Sequence, residues 1–288
     1  MAALFLAACT SQNAAPQIAQ TESTRVSTSA ATNPAAIPEI DHVTVVMMEN
    51  RDYASVIGVA DAPFINKTLV KEGALLTNSH AVSHPSEPNY LAIFSGSTQG
   101  VGSDDCPLNF SKPNLGQELI AAHKTFRGYS ESMPKNGYTG CDSGPYARKH
   151  NPWVSFTNVP KSSNLVYTPA GVPGSGLADV TFVVPNLDDD MHDGTTQQGD
   201  DWLKSHLPSI ISWNAAHKGL LILTWDEASP DDGTNPIATV LVGPMVKANV
   251  RSGQHVDHYA VLRTIETAFG IACTAEACNR KPISGIWN

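Results

Sequence analysis

The sequence predicts an α/β fold in which a mostly parallel central sheet is flanked by helices on both faces. Two strongly apolar stretches, 41–48 and 219–225, lack the alternation of half-exposed strands, so we expect both faces of each strand to be buried. Segments with helical spacing separate the strands along the chain, as in folds built from alternating strands and helices. Polar residues follow several strands, and in parallel α/β sheets ligands bind at the carboxyl ends of the strands.

The elements can be assigned in order along the chain. The predicted strands are 41–48, 74–79, 125–129, 180–185, 219–225 and 237–242. The predicted helices are 62–72, 88–94, 115–123, 198–216 and 258–269. Gly73 and Gly270 follow two of these helices, where glycine readily ends a helix, and Pro88 fits a first helical turn. Residues 131–178 are rich in Gly, Pro, Ser and Asn, which predicts a long loop region over the site.

Composition excludes some classes of partner. The 288 residues suffice for one large domain or two small ones, and a hydrophobic content of 41% supports a core. Charged residues make up 16% and the formal net charge is −9, with no run rich in lysine or arginine. This argues against nucleic acid or an anionic membrane surface as the main partner. An anionic substrate would need local positive charge from a metal ion or from a few basic residues.

The first residues predict an exported lipoprotein. Residues 6–9 (LAAC) resemble a bacterial lipoprotein cleavage box with Cys9 as the lipidated residue, which makes 1–9 a signal segment. The stretch lacks basic residues and is shorter than the ~15–30 residues of a usual signal peptide. An upstream start, a shortened N-terminus and an ordinary apolar N-terminus therefore remain open. Residues 10–37 predict a flexible tether and 38–288 the folded domain, located on the cell envelope or in the periplasm, with secretion as an alternative.

Four further cysteines predict two disulfides, because an even number of cysteines is typical of exported domains. Three pairings are possible, and proximity in the sequence favours Cys106–Cys141 together with Cys273–Cys278. The absence of any CxxC pair argues against a zinc site. No segment after the N-terminus approaches the ~20 consecutive apolar residues of a membrane span.

Two short runs carry the chemistry. In the first, an apolar strand ends at Glu49 and Asn50, and in the second, Ser86 stands just before the helix that Pro88 can begin. Hard oxygen ligands beside a hydroxyl at a helix N-terminus are suited to metal-assisted attack on phosphorus, because the metal offsets charge and helix N–H groups favour an anion. Together with the acids that end later strands, Asp226 and Glu227 among them, these runs indicate a phosphoesterase.

Six segments extend this interpretation: MMENRDY, SHPSEPNYLAIFSG, KHNPW, PNLDDDMHDG, LTWDEA and DHYAVLRTIETAFG. In this order, from residue 47 to 270, they resemble the phosphoesterase family that contains bacterial acid phosphatases and phosphatidylcholine-hydrolysing phospholipases C. That family is a branch of the alkaline-phosphatase-like superfamily. The resemblance implies that Ser86 is the nucleophile and forms a phosphoseryl intermediate. The alternatives are a serine that only caps the helix, and Ser83 or Ser95 as the nucleophile, with Ser95 expected to pack within the helix.

The resemblance also implies one divalent metal ion, held by oxygen ligands from three segments: Glu49, Asn50, Ser86, Asp226 and Glu227. Two aspartates are common at the last two positions of the family pattern, so Glu227 lengthens one ligand arm. Oxygen ligands suit Mg²⁺ or Ca²⁺, and carboxylates also accept Mn²⁺ or Zn²⁺. The alternative for Asp226 and Glu227 is a solvated turn.

His150 and His192 are the candidates for contacting phosphoryl oxygens and protonating the leaving group, since histidine titrates near neutral pH. The resemblance assigns them to substrate binding together with Asn50. A structural role for His192 is the alternative. Residues 188–190 with Asp193 form a possible second ion site. Lys149 is either an anion contact or a surface lysine, and the histidine at 258 either caps its helix or belongs to the site.

The expected function is a metal-dependent phosphoric ester hydrolase of acid-phosphatase type that acts on a small phosphate ester. Phosphodiester cleavage of phospholipase C type is the alternative within enzymes. A non-catalytic, surface-displayed binding lipoprotein is the alternative from another class. No nucleic-acid partner is expected, and membrane contact is expected only through a lipid on Cys9.

Overall fold

An eight-stranded sheet forms the centre of the protein in a computed structural model that describes residues 1–4, 37–174, 176–229 and 233–288. The strands are β1 His42–Met48, β2 Ala74–Leu76, β3 Ser79–His80, β4 Phe126–Ser130, β5 Asp142–Ser143, β6 Tyr146–Ala147, β7 Asn164–Val166, β8 Val180–Val184, β9 Gly219–Trp225, β10 Thr239–Val242, β11 Val250–Ser252 and β12 Val256–Asp257. The helices are α1 Tyr53–Val56, α2 Val70–Glu72, α3 Ser86–Ser95, α4 Leu115–Ala121, α5 Thr196–Ala216 and α6 His258–Phe269.

The sheet has the order β11-β2-β10-β9-β1-β8-β4-β7. Every neighbouring pair is parallel except those of β10, which runs antiparallel to both β9 and β2. The predicted mostly parallel sheet is therefore confirmed. Strand β1 lies at the centre, and Met48 pairs with Trp225 of β9. This register brings the residues after both strands to the same level at one edge of the sheet.

Helices cover both faces of the sheet, as predicted. On one face, Val45 and Met47 of β1 pack in a core with side chains of α3, α4 and α6. On the other face, Val46 and Met48 pack with side chains of α5. Because successive side chains of a strand point to opposite faces, an apolar strand such as β1 supplies both cores at once.

Among the differences between predicted and observed helices, two concern the form of a helix and the place of Ser86. The helix predicted over 62–72 contains a π-helical turn, Ile65–Leu69, before α2. The buried carboxylate of Asp200 in α5 accepts hydrogen bonds at 2.8 Å from the amides of Phe64 and Ile65. Helix α3 begins at Ser86, two residues earlier than predicted, so Ser86 is its first residue and does not cap it.

The segment 131–178 is more structured than the predicted loop region. It contains β5, β6 and β7, the last of which extends the sheet beside β4, and three short 3₁₀ helices, Arg148–His150, Pro152–Ser155 and Lys161–Ser163. The disulfide Cys106–Cys141 joins this segment to the preceding loop, and a second disulfide joins Cys273 and Cys278. Both disulfides match the pairing favoured by the sequence.

The predicted signal segment and tether fall almost wholly on residues 5–36, outside the described residues, so the lipoprotein assignment of Cys9 stays a prediction. The boundary at residue 38 also stays a prediction. Within the described part of the chain, no helix combines the length and apolar composition needed to cross a bilayer.

Candidate active site

The candidate site lies where β1 and β9 end. Glu49 and Asn50 follow β1, Asp226 and Glu227 follow β9, and the three acids are at most 3% exposed. Asn50 has a positive φ of 45°, which asparagine tolerates better than most residues. This turn allows the Asn50 amide to donate a hydrogen bond to Asp226 Oδ1 at 3.0 Å. The two strand ends are thus tied together by a direct hydrogen bond.

The Ser86 hydroxyl lies between these two strand ends. Its Oγ is 3.0 Å from Glu49 Oε2 and 3.2 Å from Glu227 Oε1. A hydroxyl carries a single hydrogen and can donate to only one carboxylate at a time. The other short oxygen–oxygen contact therefore requires either a proton on that carboxyl group or a cation between the oxygens.

Four buried acids in the cluster have raised pKa values. Burial is the largest cause for each, and it raises the pKa of Asp226 to about 7 and that of Glu227 to about 7. The pKa of Glu49 is raised well above its usual value, first by burial and then by the charges of Asp226 and Asp190. Burial likewise raises the pKa of Asp190. The ionised cluster is therefore unfavourable without a positive charge inside it.

The donor atoms of the cluster fit a divalent cation. Asp226 Oδ2, Asn50 Oδ1 and Asp190 Oδ2 are buried, and none has a hydrogen-bond partner among the described residues. Buried polar atoms are nearly always satisfied, so these oxygens, which follow different strands, are available to a ligand. A hard cation satisfies carboxylate and amide oxygens directly.

His150 lies between two of the acids, at the end of the 3₁₀ helix Arg148–His150. Its Nε2 is 3.3 Å from Glu49 Oε1 and its Nδ1 is 3.5 Å from Asp190 Oδ2. Donor atoms of these three residues lie within 4.8 Å of one another, which makes them the one group of His, Cys, Asp and Glu side chains among the described residues that could hold an ion. This group shares only Glu49 with the ligand set expected from the sequence. Burial lowers the pKa of His150 well below its usual value, and the charge of Lys149 lowers it further.

His192 is closer to solvent than His150. Its amide donates to Asp190 Oδ1 at 2.8 Å, and its Nδ1 is 2.7 Å from Asp193 Oδ1. The centroids of the His150 and His192 rings are 5.8 Å apart. Of the acids offered for a second ion, Asp190 joins the group with Glu49 and His150, whereas Asp193 instead pairs with His192.

Tyr90 is a site residue that the sequence interpretation missed. Its hydroxyl donates to Glu49 Oε1, and its ring stacks on that of His150 with 5.0 Å between centroids. Tyr90 follows Ser86 by one helical turn, and residues four apart lie on the same helix face. That spacing is a signal from which Tyr90 could have been found.

Two asparagines fix the turn before Ser86. Asn89 Oδ1 accepts hydrogen bonds at 3.0 Å from the amides of Val82 and Ser83, and its Nδ2 donates to Ser83 O at 2.9 Å. Asn235 Nδ2 also donates to Ser83 O, at 2.8 Å, while its Oδ1 accepts from the Ala228 amide at 2.7 Å. Asn235 therefore links the nucleophile turn to the segment that follows Asp226 and Glu227.

Three further residues near the site, among them the candidates Lys149 and His258, have partners of their own. His84 Nδ1 contacts Glu227 Oε2, so Glu227 is held on both of its oxygens. Lys149 forms an ion pair with Asp104 at 2.8 Å. His258 is buried at the start of α6, where Asp257 is the cap, and its Nε2 is 2.6 Å from the carbonyl oxygen of Asp226.

The rival serines are accounted for by local hydrogen bonds. Ser83 Oγ donates to His84 O at 3.1 Å, and Ser95 Oγ donates to Leu91 O at 2.8 Å within α3. Neither of these bonds reaches an acid of the cluster. Ser86 thus remains the serine whose hydroxyl contacts the carboxylates at both strand ends.

The chain is similar in sequence to several known phosphatases. A phosphatidylinositol-3-phosphatase of Mycobacterium tuberculosis is 45% identical over 260 residues, which cover 88% of this chain and 84% of the relative. An acid phosphatase of Aspergillus fumigatus is 30% identical over 247 residues, covering 78% of this chain and 54% of the relative. A phosphate-repressible acid phosphatase of Penicillium chrysogenum is 31% identical, and the match covers 53% of the relative. This chain therefore spans about half the length of these two fungal relatives.

Solved structures share the fold. A protein of the alkaline phosphatase superfamily from Vibrio parahaemolyticus superposes with a TM-score of 0.59 at 10% identity, covering 88% of this chain and 72% of the other. Murine ectonucleotide pyrophosphatase/phosphodiesterase 5 superposes with a TM-score of 0.58 at 8% identity, covering 86% of this chain and 100% of the other. The sequence model of the phosphoesterase family matches residues 59–272. The chain therefore belongs to the phosphoesterase family and is a hydrolase that acts on phosphoric esters.

Proposed function

We propose that the protein hydrolyses phosphate monoesters through a phosphoseryl intermediate on Ser86. The observation that carries this proposal is the position of the Ser86 hydroxyl, within 3.2 Å of carboxylates that follow two different strands. The hydroxyl also stands in the first turn of α3, a ten-residue helix, and helix N-termini favour a bound anion. A phosphoryl group placed there would meet both the nucleophile and the backbone N–H groups.

The residues proposed to hold one divalent cation are those expected from the sequence: Glu49, Asn50, Ser86, Asp226 and Glu227. The unsatisfied oxygens of Asn50 and Asp226 and the raised pKa of Asp226 support this set. The chemistry that such a cation supplies is to offset negative charge and to lower the pKa of the bound hydroxyl. Glu49 Oε2 or Glu227 Oε1 accepts the proton that Ser86 releases.

In the first step, Ser86 Oγ attacks phosphorus and the bond to the leaving-group oxygen breaks. We assign the general acid to His192, because it is partly exposed and paired with Asp193, so it can exchange protons with solvent. We assign His150 to a phosphoryl oxygen, because burial keeps its imidazole neutral and able to donate one N–H. In the second step, water attacks the phosphoseryl group, and Ser86 Oγ leaves and regains its proton.

The names of the relatives suggest the substrate class. Two fungal relatives are acid phosphatases, and the mycobacterial relative, at 45% identity, is a phosphatidylinositol-3-phosphatase. We therefore propose phosphate monoesters as substrates, with a phosphorylated inositol headgroup among them. Phosphodiester cleavage remains the second candidate.

The test compares three nitrophenol esters: p-nitrophenyl phosphate, its bis-ester and its phosphorylcholine ester. We expect turnover of the monoester to exceed that of both diesters, to stop in chelator and to return with a divalent cation. Ser86→Ala should abolish turnover, and acid quenching of the wild type should yield one phosphoryl group on the peptide that contains Ser86. Substantial activity of Ser86→Ala would refute the assignment of the nucleophile, while faster diester turnover would favour the second candidate.

We also propose that the protein is exported and anchored by a lipid on Cys9. The two disulfides support export, because such bonds persist in oxidising compartments. Expression in a bacterial host followed by mass spectrometry tests the anchor. A lipid-modified Cys9 at the mature N-terminus is the expected result, and an unmodified cysteine within a longer peptide would contradict it.

A further inference from the structure

A cavity of about 360 Å³ lies beside the 3₁₀ helix that carries His150. None of the proposed cation ligands is among the described residues that line it. Its volume is within the range of small-molecule sites. We call it the Arg148 cavity and define it by six of its lining residues: Asn109, Arg148, Trp153, Phe156, Lys161 and Asn164.

The Arg148 cavity has a buried floor and an exposed rim. Trp153, Phe156 and Asn164 are buried, whereas Asn109 and Lys161 are exposed. The floor is fixed by hydrogen bonds, since Trp153 Nε1 donates to Asn164 Oδ1 at 2.8 Å and Asn164 Nδ2 donates to a backbone carbonyl at 2.7 Å. An aromatic floor held in place beneath a polar rim is the usual form of a preformed ligand site.

Arg148 is a buried cation in the wall of this cavity. It is 5% exposed, and its guanidinium donates to the carbonyl oxygens of Thr139 at 2.8 Å, Leu108 at 2.8 Å and Val154 at 3.3 Å. A guanidinium has five N–H groups, so two of them, including Nε–H, lack a partner among the described residues. No described carboxylate lies within ion-pair distance of it. Burial lowers the pKa of Arg148, and the charges of Tyr146 and Glu87 oppose this from farther away.

The charge around the Arg148 cavity is positive, although the whole chain carries a formal net charge of −9. Lys161 adds a second cation at the rim, and no aspartate or glutamate is among the described lining residues. A buried cation without a directly paired carboxylate is costly, and an anion beside it offsets that cost. An apolar floor under two cations therefore suits a ligand with a planar apolar body and one anionic group.

We propose that the Arg148 cavity is a second binding site, which takes a small aromatic anion. The ring of the ligand packs on Trp153 and Phe156, and its anionic group lies near Arg148 and Lys161. The site is separate from the reacting groups, because its lining does not include Ser86 or the acids of the cluster. Binding is therefore expected not to compete with the phosphate ester.

The test uses naphthalene-2-sulfonate and its neutral counterpart naphthalene-2-sulfonamide, titrated calorimetrically into the full chain at neutral pH. We expect one sulfonate per chain, with the sulfonamide about tenfold weaker because it lacks the charge. Asn109→Trp fills the cavity from its rim and should weaken binding about tenfold. Lys161→Ala should weaken it about threefold, the loss of one partly screened charge contact.

Lys135→Ala is the matched control, because Lys135 is exposed and lies outside the described lining of the cavity. It should bind the sulfonate as the wild type does. Arg148 itself is left unchanged, since its loss would break three hydrogen bonds to the backbone. Circular dichroism checks that each variant is folded.

Three results would overturn the proposal. The first is no binding of the sulfonate, and the second is equal binding by wild type and Asn109→Trp. The third is competitive inhibition of p-nitrophenyl phosphate turnover, which would locate the sulfonate at the catalytic site. Because Ser86 is not needed for sulfonate binding, Ser86→Ala should still bind it, which separates this proposal from the proposed mechanism.

Discussion

Asp226 in the candidate site and Glu266 in α6 are both buried acids whose pKa is raised to about 7, yet their surroundings differ. Glu266 Oε1 accepts two hydrogen bonds at 2.8 Å, from the amide and the hydroxyl of Thr274. One oxygen of each acid, Asp226 Oδ2 and Glu266 Oε2, has no hydrogen-bond partner among the described residues. Arg263 Nη1 lies 3.8 Å from Glu266 Oε2, whereas for Asp226 the charge of Glu227 is the second cause of the raised pKa.

The raised pKa values of the two acids have different causes. For Glu266, burial dominates, and the hydrogen bonds from Thr274 and the charge of Arg263 oppose it. Glu266 lies in the last turn of α6, and its carboxylate holds Thr274 of the segment that follows the helix. For Asp226, neighbouring acids add to burial, so a cation would relieve the same repulsion that raises the pKa. The pKa values of the two acids are alike, and the sign of the nearest charge distinguishes them: Glu227 beside Asp226 and Arg263 beside Glu266.

The largest difference between the two acids is expected in the activity of their variants. Asp226→Asn removes one charge, and we expect kcat/KM for p-nitrophenyl phosphate to fall about 10³-fold, or about 4 kcal/mol. Glu266→Gln should stay within about twofold of wild type, because it lies outside the site. Steady-state kinetics measure both. Equal losses of kcat/KM in the two variants would contradict a catalytic role for Asp226 that Glu266 lacks.

Glu266 should instead control stability between pH 4.5 and about 7. Its pKa is raised from 4.5 to about 7 in the folded protein, so in this window the folded state holds a proton that the unfolded state has released. The stabilisation is therefore complete below pH 4.5 and is lost as the pH rises to about 7, by about 3 kcal/mol.

The measurement is urea unfolding of wild type and Glu266→Gln at pH 5 and pH 8, in chelator. The acids of the site titrate alike in both proteins. Their contribution therefore cancels in the double difference, which is the pH-dependent change in the free energy of unfolding of one protein minus that of the other. We expect the free energy of unfolding of wild type to fall relative to that of Glu266→Gln as the pH rises. A double difference of zero would mean that Glu266 is ionised in the folded state at both pH values.

A divalent cation should stabilise the protein through Asp226 and not through Glu266. At a cation concentration of about 100 Kd, linkage gives about 2.7 kcal/mol. Denaturant unfolding with and without Mg²⁺, Ca²⁺, Mn²⁺ or Zn²⁺ measures this gain, which we expect in wild type and in Glu266→Gln. The same gain in Asp226→Asn, or none in wild type, would count against the proposed cation ligands.

The smallest effect is expected at Asn235, which links the two halves of the site without belonging to the acid cluster. Asn235→Ala should lower kcat about tenfold, or about 1.4 kcal/mol, with little change in KM, because Ser86 and Glu227 would be less firmly aligned. Asn235 has a positive φ of 52°, so Asn235→Gly is the control that avoids backbone strain. Full activity of the glycine variant would show that only the strain matters.

Regular elements could be predicted closely from the sequence. The bounds of β9 and α6 match the predicted ones residue for residue, because an apolar run and an amphipathic pattern each end at a residue that breaks them. The π-helical turn could not be predicted, since the Asp200 carboxylate that supports it lies 135 residues away from Ile65. The short elements of 131–178 depend likewise on tertiary hydrogen bonds and have no periodic signal.

Within the site, residues at strand ends could be predicted, because the sheet itself brings them together. Glu49 and Asp226 lie in one cluster for this reason, and Ser86 joins them from the first turn of α3. That Asp190 is the buried one of three consecutive aspartates could not be predicted, since the turn after β8 decides this. The metal role of the cluster and the roles of the two histidines stay predictions until they are measured.

The single antiparallel strand of the sheet has a consequence for how such an enzyme can vary. Strands that run parallel all finish at the catalytic edge, but β10 starts there, with Asn235 just before it. The connection from β9 to β10, residues 226–238, therefore carries both acids, Asp226 and Glu227, as well as Asn235, which bonds to the turn before Ser86. Insertions should be tolerated at the opposite ends of the strands, whereas an extra residue between Ala228 and Asn235 would shift the hydrogen bonds of Asn235 and lower activity while leaving the chain folded.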